Sequence, residues 1–170
     1  MKLEEISMTQ PSKKMVDNFH RRTNEHIKNV QDCIAKLNPG PELQERAKTH
    51  DASKFGEVEY MPYIWITEFY RCKNNGIDFE YPPGMEEKTR IASKHHVTTN
   101  RHHPEYHDDI SDMTDIDIIE MVCDWAAMAI ELGEGSARGW ADKNVGSRWK
   151  FTPEQTDLIY STINKLDSHQ

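Results

Sequence analysis

Apolar residues in this chain recur at spacings of three and four, and no segment sustains the two-residue alternation of a half-buried strand, so the pattern predicts an all-α fold. Val16, Phe19, His26, Val30, Ile34 and Leu37 fall near one face of a helix over about residues 13 to 37, which Asn-Pro-Gly-Pro at 38 to 41 ends. His26 then points inward. A second helix is expected from Glu42 to about Lys48, delivering His50 and Asp51 at its exit. Val58, Met61, Ile64, Trp65, Phe69 and Tyr70 place a third within residues 57 to 73, and the turn residues of 74 to 84 make a loop. A helix resumes near Glu86 and carries His95 or His96, after which Asn100 and Pro104 predict an irregular segment. Thr114 is placed to cap a strongly apolar helix running to Leu132, and Thr152-Pro-Glu-Gln155 reads as a capping box opening the last one. Between them, residues 133 to 150 hold four glycines with Arg138, Lys143, Arg148, Trp140 and Trp149, a composition expected of a flexible flap beside a pocket.

The 170 residues are expected to form one domain, with its core at about 13–132 and the flap and last helix in 133–170. A net charge of −8 gives no basic field for a nucleic-acid backbone, so duplex nucleic acid is a poor partner. No apolar stretch approaches a bilayer span, and Met1-Lys-Leu-Glu-Glu5 lacks the apolar core of a signal peptide, so the expected location is cytoplasmic, without membrane attachment. Cys33, Cys72 and Cys123 are odd in number and widely spaced, as expected of reduced thiols. Self-association is left open.

The histidines change the picture from fold to chemistry. Five of the nine lie in the 13-residue run from His95 to His107, and His50-Asp51 lies upstream. Imidazole and carboxylate together suit a divalent transition metal, and packing alone has no reason to gather groups that each need a polar partner. Asp124 lies in Met121-Val-Cys-Asp-Trp-Ala-Ala-Met128, among apolar residues, where a buried carboxylate requires a cation or a hydrogen-bond donor. His107, His20 and His169 read as surface residues.

His26, then Thr49-His50-Asp51-Ala-Ser-Lys54-Phe55, then Asp124, in this order and on helices, resemble the H…HD…D pattern of the HD-domain metal-dependent phosphohydrolases. The block HHxxxNxHHPEY from His95 to Tyr106, with Glu120-Met-Val-Cys-Asp-Trp125 downstream, is similar to a small phage and bacterial family within the same superfamily. The resemblance covers about residues 20 to 132 and implies an HD-like bundle of about six helices. It also implies that His26, His50, Asp51 and Asp124 hold one metal, with Asp51 placed to bridge to a second. His95 or His96 with His102 or His103 are the candidates for that second ion, and His96, His102 and His103 are favoured. One or two ions of Mn, Co, Zn, Ni or Fe are the expected cofactor.

A metal lowers the pKa of bound water from about 16 to about 7, so hydrolysis of a phosphate ester is the expected reaction. Lys54 would steady a nonbridging oxygen, Arg101 would clamp the phosphate bidentately, and Glu57, Glu105 and Asp109 are candidate acids for the leaving group. By analogy with one-domain HD enzymes the expected substrate is a nucleotide, a monophosphate losing phosphate or a triphosphate being cleaved. Trp65, Tyr60, Tyr106 and Trp149 are candidates to stack its base, though such residues are also ordinary core. Two other classes fit the pattern: an HD-type di-iron oxygenase cleaving a C–C or C–P bond, and a non-enzymatic HD-like binding or regulatory module.

Overall fold

The computed structural model describes residues 10–169, and the Met1–Glu5 stretch read for a signal peptide lies outside them. Seven α-helices occur among the described residues: α1 (Lys13–Lys36), α2 (Pro41–Thr49), α3 (Tyr60–Asn74), α4 (Met85–Thr99), α5 (Asp115–Leu132), α6 (Ala137–Asn144) and α7 (Pro153–Asp167). Short 3₁₀ turns at Ala52–Phe55, Pro104–Tyr106 and Ile110–Asp112 complete the regular structure, with no β-strand among the described residues. The protein is all-α, and no described helix is long and apolar enough to cross a membrane.

Local chemistry explains the boundaries. Pro41 follows Gly40 at the first position of α2, where a missing N–H costs nothing. Thr114 and Thr152 both form reciprocal capping boxes, with Asp117 and Gln155, as their spacing predicts. α5 ends at Gly133, whose φ of 66° is the left-handed cap that glycine adopts without strain. The expected flap over 133 to 150 is instead built around α6. Ser136 accepts from the Gly139 amide, Ala137 and Ala141 are buried, and Tyr160 Oη donates to Asp142 Oδ1 at 2.8 Å. Two of the glycines taken as signs of flexibility, Gly133 and Gly135, occupy positive-φ positions between α5 and α6, so they mark where helices stop.

The chain divides into two compact units. Among the described residues, 10–24 with Ala52–Thr99 form the first, and Glu25–Asp51 with 100–169 form the second. In the first, α3 and α4 pack on each other and on the 3₁₀ turn at Ala52–Phe55, burying Phe19, Ile64, Trp65, Cys72, Met85 and Ala92. In the second, α5 packs against α2, α6 and α7 around a core that includes Val30, Ile34, Leu43, Ile118, Val122, Ile159 and Ile163. All three cysteines are buried and unbridged.

Candidate metal centre

In the second unit three chain segments deliver imidazoles beside α5. The apolar periodicity of α1 turns His26 inward, leaving it 5% exposed. α2 ends at Thr49, so His50 and Asp51 leave the helix together, each 2% exposed. The segment after α4 contributes His102, also 2% exposed, and His103. α5 supplies carboxylates at Asp117, Glu120, Asp124 and Glu131, which lie three, four and seven residues apart and so share one side of the helix.

The donor atoms converge. His26 Nε2 lies 2.9 Å from Asp124 Oδ1 and 3.5 Å from Asp51 Oδ2, while the Nε2 atoms of His50 and His102 each lie 3.5 Å from Asp51 Oδ1. His26, His50 and Asp124 offer donor atoms mutually within 4.8 Å, as do Asp51, His102 and His103, and as do His50, His102 and Glu120. Asp51 therefore sits between two ligand triads. Its backbone φ of 55° is left-handed, a conformation that costs a non-glycine residue on the order of 1 kcal/mol. Among side chains that tolerate it, aspartate is the one that brings a carboxylate.

The other imidazole nitrogens face glutamates. His26 Nδ1 lies 3.0 Å from Glu131 Oε1, and His50 Nδ1 lies 2.8 Å from Glu120 Oε1. In the first unit, buried Glu59 takes His95 Nδ1 at 2.6 Å and His96 Nδ1 at 2.9 Å. A carboxylate on Nδ1 fixes the tautomer with its proton there and presents Nε2 as an electron-pair donor, the arrangement that metal-ligating histidines use. His26 Nε2 and His50 Nε2 then face each other at 3.3 Å, and two lone pairs at that distance require a cation or a proton between or beside them.

Electrostatics fit the same group. Burial disfavours charge on His26 and His50, but the neighbouring carboxylates, Asp124 and Glu131 for the first and Asp51 and Glu120 for the second, outweigh it and raise both pKa values. Burial likewise opposes ionisation of Glu120, yet His102 and His50 bring it down to about 2, and His26 above all holds Asp124 well below the usual carboxylate range. Four buried or nearly buried carboxylates, Asp51, Glu120, Asp124 and Glu131, attract positive charge to the point where the Nε2 atoms meet. A divalent ion satisfies them in place of protons, and binding one must release those protons. The donor set, imidazole nitrogen with carboxylate oxygen, suits Zn, Mn, Fe or Co.

Lys54 lies in the first unit, in the 3₁₀ turn, with Nζ 5.4 Å from the centre of the Tyr63 ring. Arg101, expected to clamp phosphate, directs its fork at Asp117, with Nη2 to Oδ2 at 3.2 Å and Nε to Oδ1 at 3.3 Å. Glu105 pairs with Arg148, Asp109 accepts from the Ser111 amide, and Glu57 is exposed. Trp65 is core of its unit, and Trp149 stacks on Trp125 at 6.0 Å. His107 is no surface residue: its side chain is 4% exposed and donates from Nε2 to the Arg101 carbonyl at 2.9 Å. His20 is half-buried against the Tyr60 hydroxyl at 2.8 Å, and His169 is exposed. Pattern reading missed Glu120, Glu131 and Glu59. For the first two a signal existed, since an apolar helix has no packing reason to repeat carboxylates along one side.

Fold and site together define an all-α protein whose helices bring imidazoles and carboxylates to one buried point able to hold a metal ion. The chain belongs to a family of unknown function (DUF5662), whose model matches residues 15–165. No curated protein and no solved structure matches it.

Proposed function

We propose that the protein is a metal-dependent phosphohydrolase of HD type acting on a small phosphate ester, with a nucleotide as the expected substrate. The observation that carries this reading is the convergence of His26, His50, Asp51, His102 and Asp124, with the outer nitrogens of His26 and His50 held by glutamates. The order of His26, His50-Asp51 and Asp124 along the chain supports the assignment.

His26, His50, Asp51 and Asp124 would hold one ion, and Asp51, with His102 and His103, would share in a second. The resemblance also assigns His96 as a ligand, and its Nδ1 bond to Glu59 agrees with a ligating role for Nε2. Bound there, a divalent ion supplies Lewis acidity and an activated water. Glu131 and Glu120 orient His26 and His50 so that their electron pairs need not be reorganised during turnover. Lys54, three residues after Asp51, is the cation assigned to a nonbridging phosphoryl oxygen. Arg101 is better suited to holding Asp117 than to gripping phosphate, because moving it would take a donor from a fully buried carboxylate.

A di-iron oxygenase is the second reading, favoured by the abundance of imidazoles around an Asp51 that lies between two triads. Elemental analysis of protein purified without chelator, followed by phosphate release from a panel of nucleotides, separates the readings. One or two Zn, Mn, Co or Ni per chain with phosphate release supports hydrolysis. Two irons per chain with substrate-dependent oxygen uptake replaces hydrolysis by the second reading. No binding even after metal is added back sinks both and leaves a binding or regulatory module. If hydrolysis holds, Lys54→Ala should keep its metal and lose about 10²-fold in kcat, the scale of one lost transition-state contact. Unchanged kcat in that variant would remove Lys54 from the mechanism.

A further inference from the structure

Among the buried acids of the second unit, Glu120 stands out because it serves two imidazoles and belongs to neither triad that meets at Asp51. Its Oε1 lies 2.8 Å from His50 Nδ1 and 3.4 Å from His102 Nδ1. The two rings run side by side, with centroids 4.5 Å apart and planes 38° from parallel. At their far ends both Nε2 atoms lie 3.5 Å from one oxygen of Asp51. Each ring therefore spans from Glu120 Oε1 to Asp51 Oδ1, and turning either one would lose both ends at once.

His50 and His102 fall in different triads, the first with His26 and Asp124, the second with Asp51 and His103. We propose that Glu120, held by Arg46, is a positioning residue shared by the two halves of the metal centre, fixing the tautomer and direction of His50 for one ion and of His102 for the other. The inference rests on the metal-centre reading above and adds to it a coupling between the two ion positions.

Arg46 completes the device. Its Nη2 lies 2.5 Å from Glu120 Oε2 and its Nη1 2.9 Å from Asp117 Oδ1, so the guanidinium fixes Glu120 against a second, fully buried carboxylate. The same positive charge argues against Glu120 as a ligand in its own right. An ion at His50, His102 and Glu120 would sit beside a guanidinium, and Glu120 already has the cation it needs. His26 is oriented separately, by Glu131, whose two oxygens lie 3.0 and 3.2 Å from His26 Nδ1.

Co(II) titration followed by visible absorption, counting ions per chain, distinguishes a shared positioner from a merely structural acid. The unaltered protein should take up two Co(II) in resolvable steps. Glu120→Gln, which keeps shape and removes charge, should weaken both steps by ~10–100-fold and change the absorption of both, as loss of an outer partner does. Glu131→Gln should weaken by a similar factor only the step that uses His26. Should Glu120→Gln fail to fold by circular dichroism, Arg46→Lys replaces it. Lysine keeps the charge but cannot hold Glu120 and Asp117 together, so both steps should again weaken. The proposal is overturned if Glu120→Gln, or Arg46→Lys in its place, loads both ions as the unaltered protein does, or weakens one step alone. It is also overturned if the unaltered protein binds one ion. No Co(II) uptake by the unaltered protein would instead defeat the metal-centre reading itself.

Discussion

Asp51→Ala is expected to lose its metal and to lower turnover by ~10³-fold or more, because an ion's contribution to transition-state charge is several kcal/mol and each 1.4 or so is about a factor of ten. The position is the most consequential in the centre. Asp51 Oδ2 faces His26, and Oδ1 faces both His50 and His102, so its two oxygens together reach all three imidazoles. The fold should survive the change. Asp51 lies outside every helix, and although alanine tolerates its left-handed backbone less well than aspartate, the strain is on the order of 1–2 kcal/mol at a single residue. Asp51→Asn is the companion variant: asparagine accepts the same backbone and nearly the same volume but is neutral, so it should fold as well and bind metal far more weakly. Far-ultraviolet circular dichroism and metal content on the same samples check this. Normal metal content and phosphate release in either variant would show that the site has been misassigned.

Asp117→Ala is expected to cost ~3 kcal/mol of stability at neutral pH while leaving the metal ligands in place. Asp117 is fully buried and accepts from the Thr114 amide at 3.0 Å, from Arg46 at 2.9 Å and from Arg101 at 3.2 Å. Breaking one partner out of a buried ion pair costs about 3–5 kcal/mol, and loss of the capping box adds to that, whereas Arg101 can return to solvent and Arg46 keeps Glu120. The effect should depend on pH with a definite sign. Burial alone would raise the Asp117 pKa, but the Thr114 amide, Arg46 and Arg101 outweigh it and hold the value below the usual 3.8. A carboxylate whose folded value is depressed contributes stability fully above its unfolded value and loses it as pH falls through the folded one. The gap between the unaltered protein and Asp117→Ala should accordingly be full at pH 7 and shrink below about pH 4. Urea unfolding at pH 7 and pH 3 measures it. A gap that is equal at both would mean that the charge of Asp117 contributes nothing and that its value lies in shape alone.

Much of the helical frame was legible because the signals are local. The inward turn of His26 follows from its spacing to Val30 and Ile34, and the starts of α5 and α7 follow from Thr114 and Thr152 with an acceptor three residues on. α6 was hidden because its marks, Ser136 before two buried alanines, are short and lie among glycines that also suit a loop. Within the centre, His50-Asp51 and Asp124 were legible from residue type and apolar surroundings. Carboxylates repeated along α5 were a signal for Glu120 and Glu131, but which glutamate stands behind which histidine was not legible, since Glu131 meets His26 across 105 positions and Glu59 meets His95 and His96 across 36 and 37. No periodicity encodes such pairings.

The sequence by itself determined that the chain is helical, where most of its helices begin and end, and that imidazole and carboxylate are concentrated beyond anything a core needs. Those are properties of spacing and composition, set by neighbours within a few residues. The tertiary structure alone decided that Asp51 lies between two triads, that Glu120 serves His50 and His102 together, and that Arg101 turns its fork to Asp117. Which donor meets which acceptor depends on how distant segments are brought together in three dimensions, and a hydrogen bond or a ligand set depends on distances of a few tenths of an ångström that only the folded chain fixes.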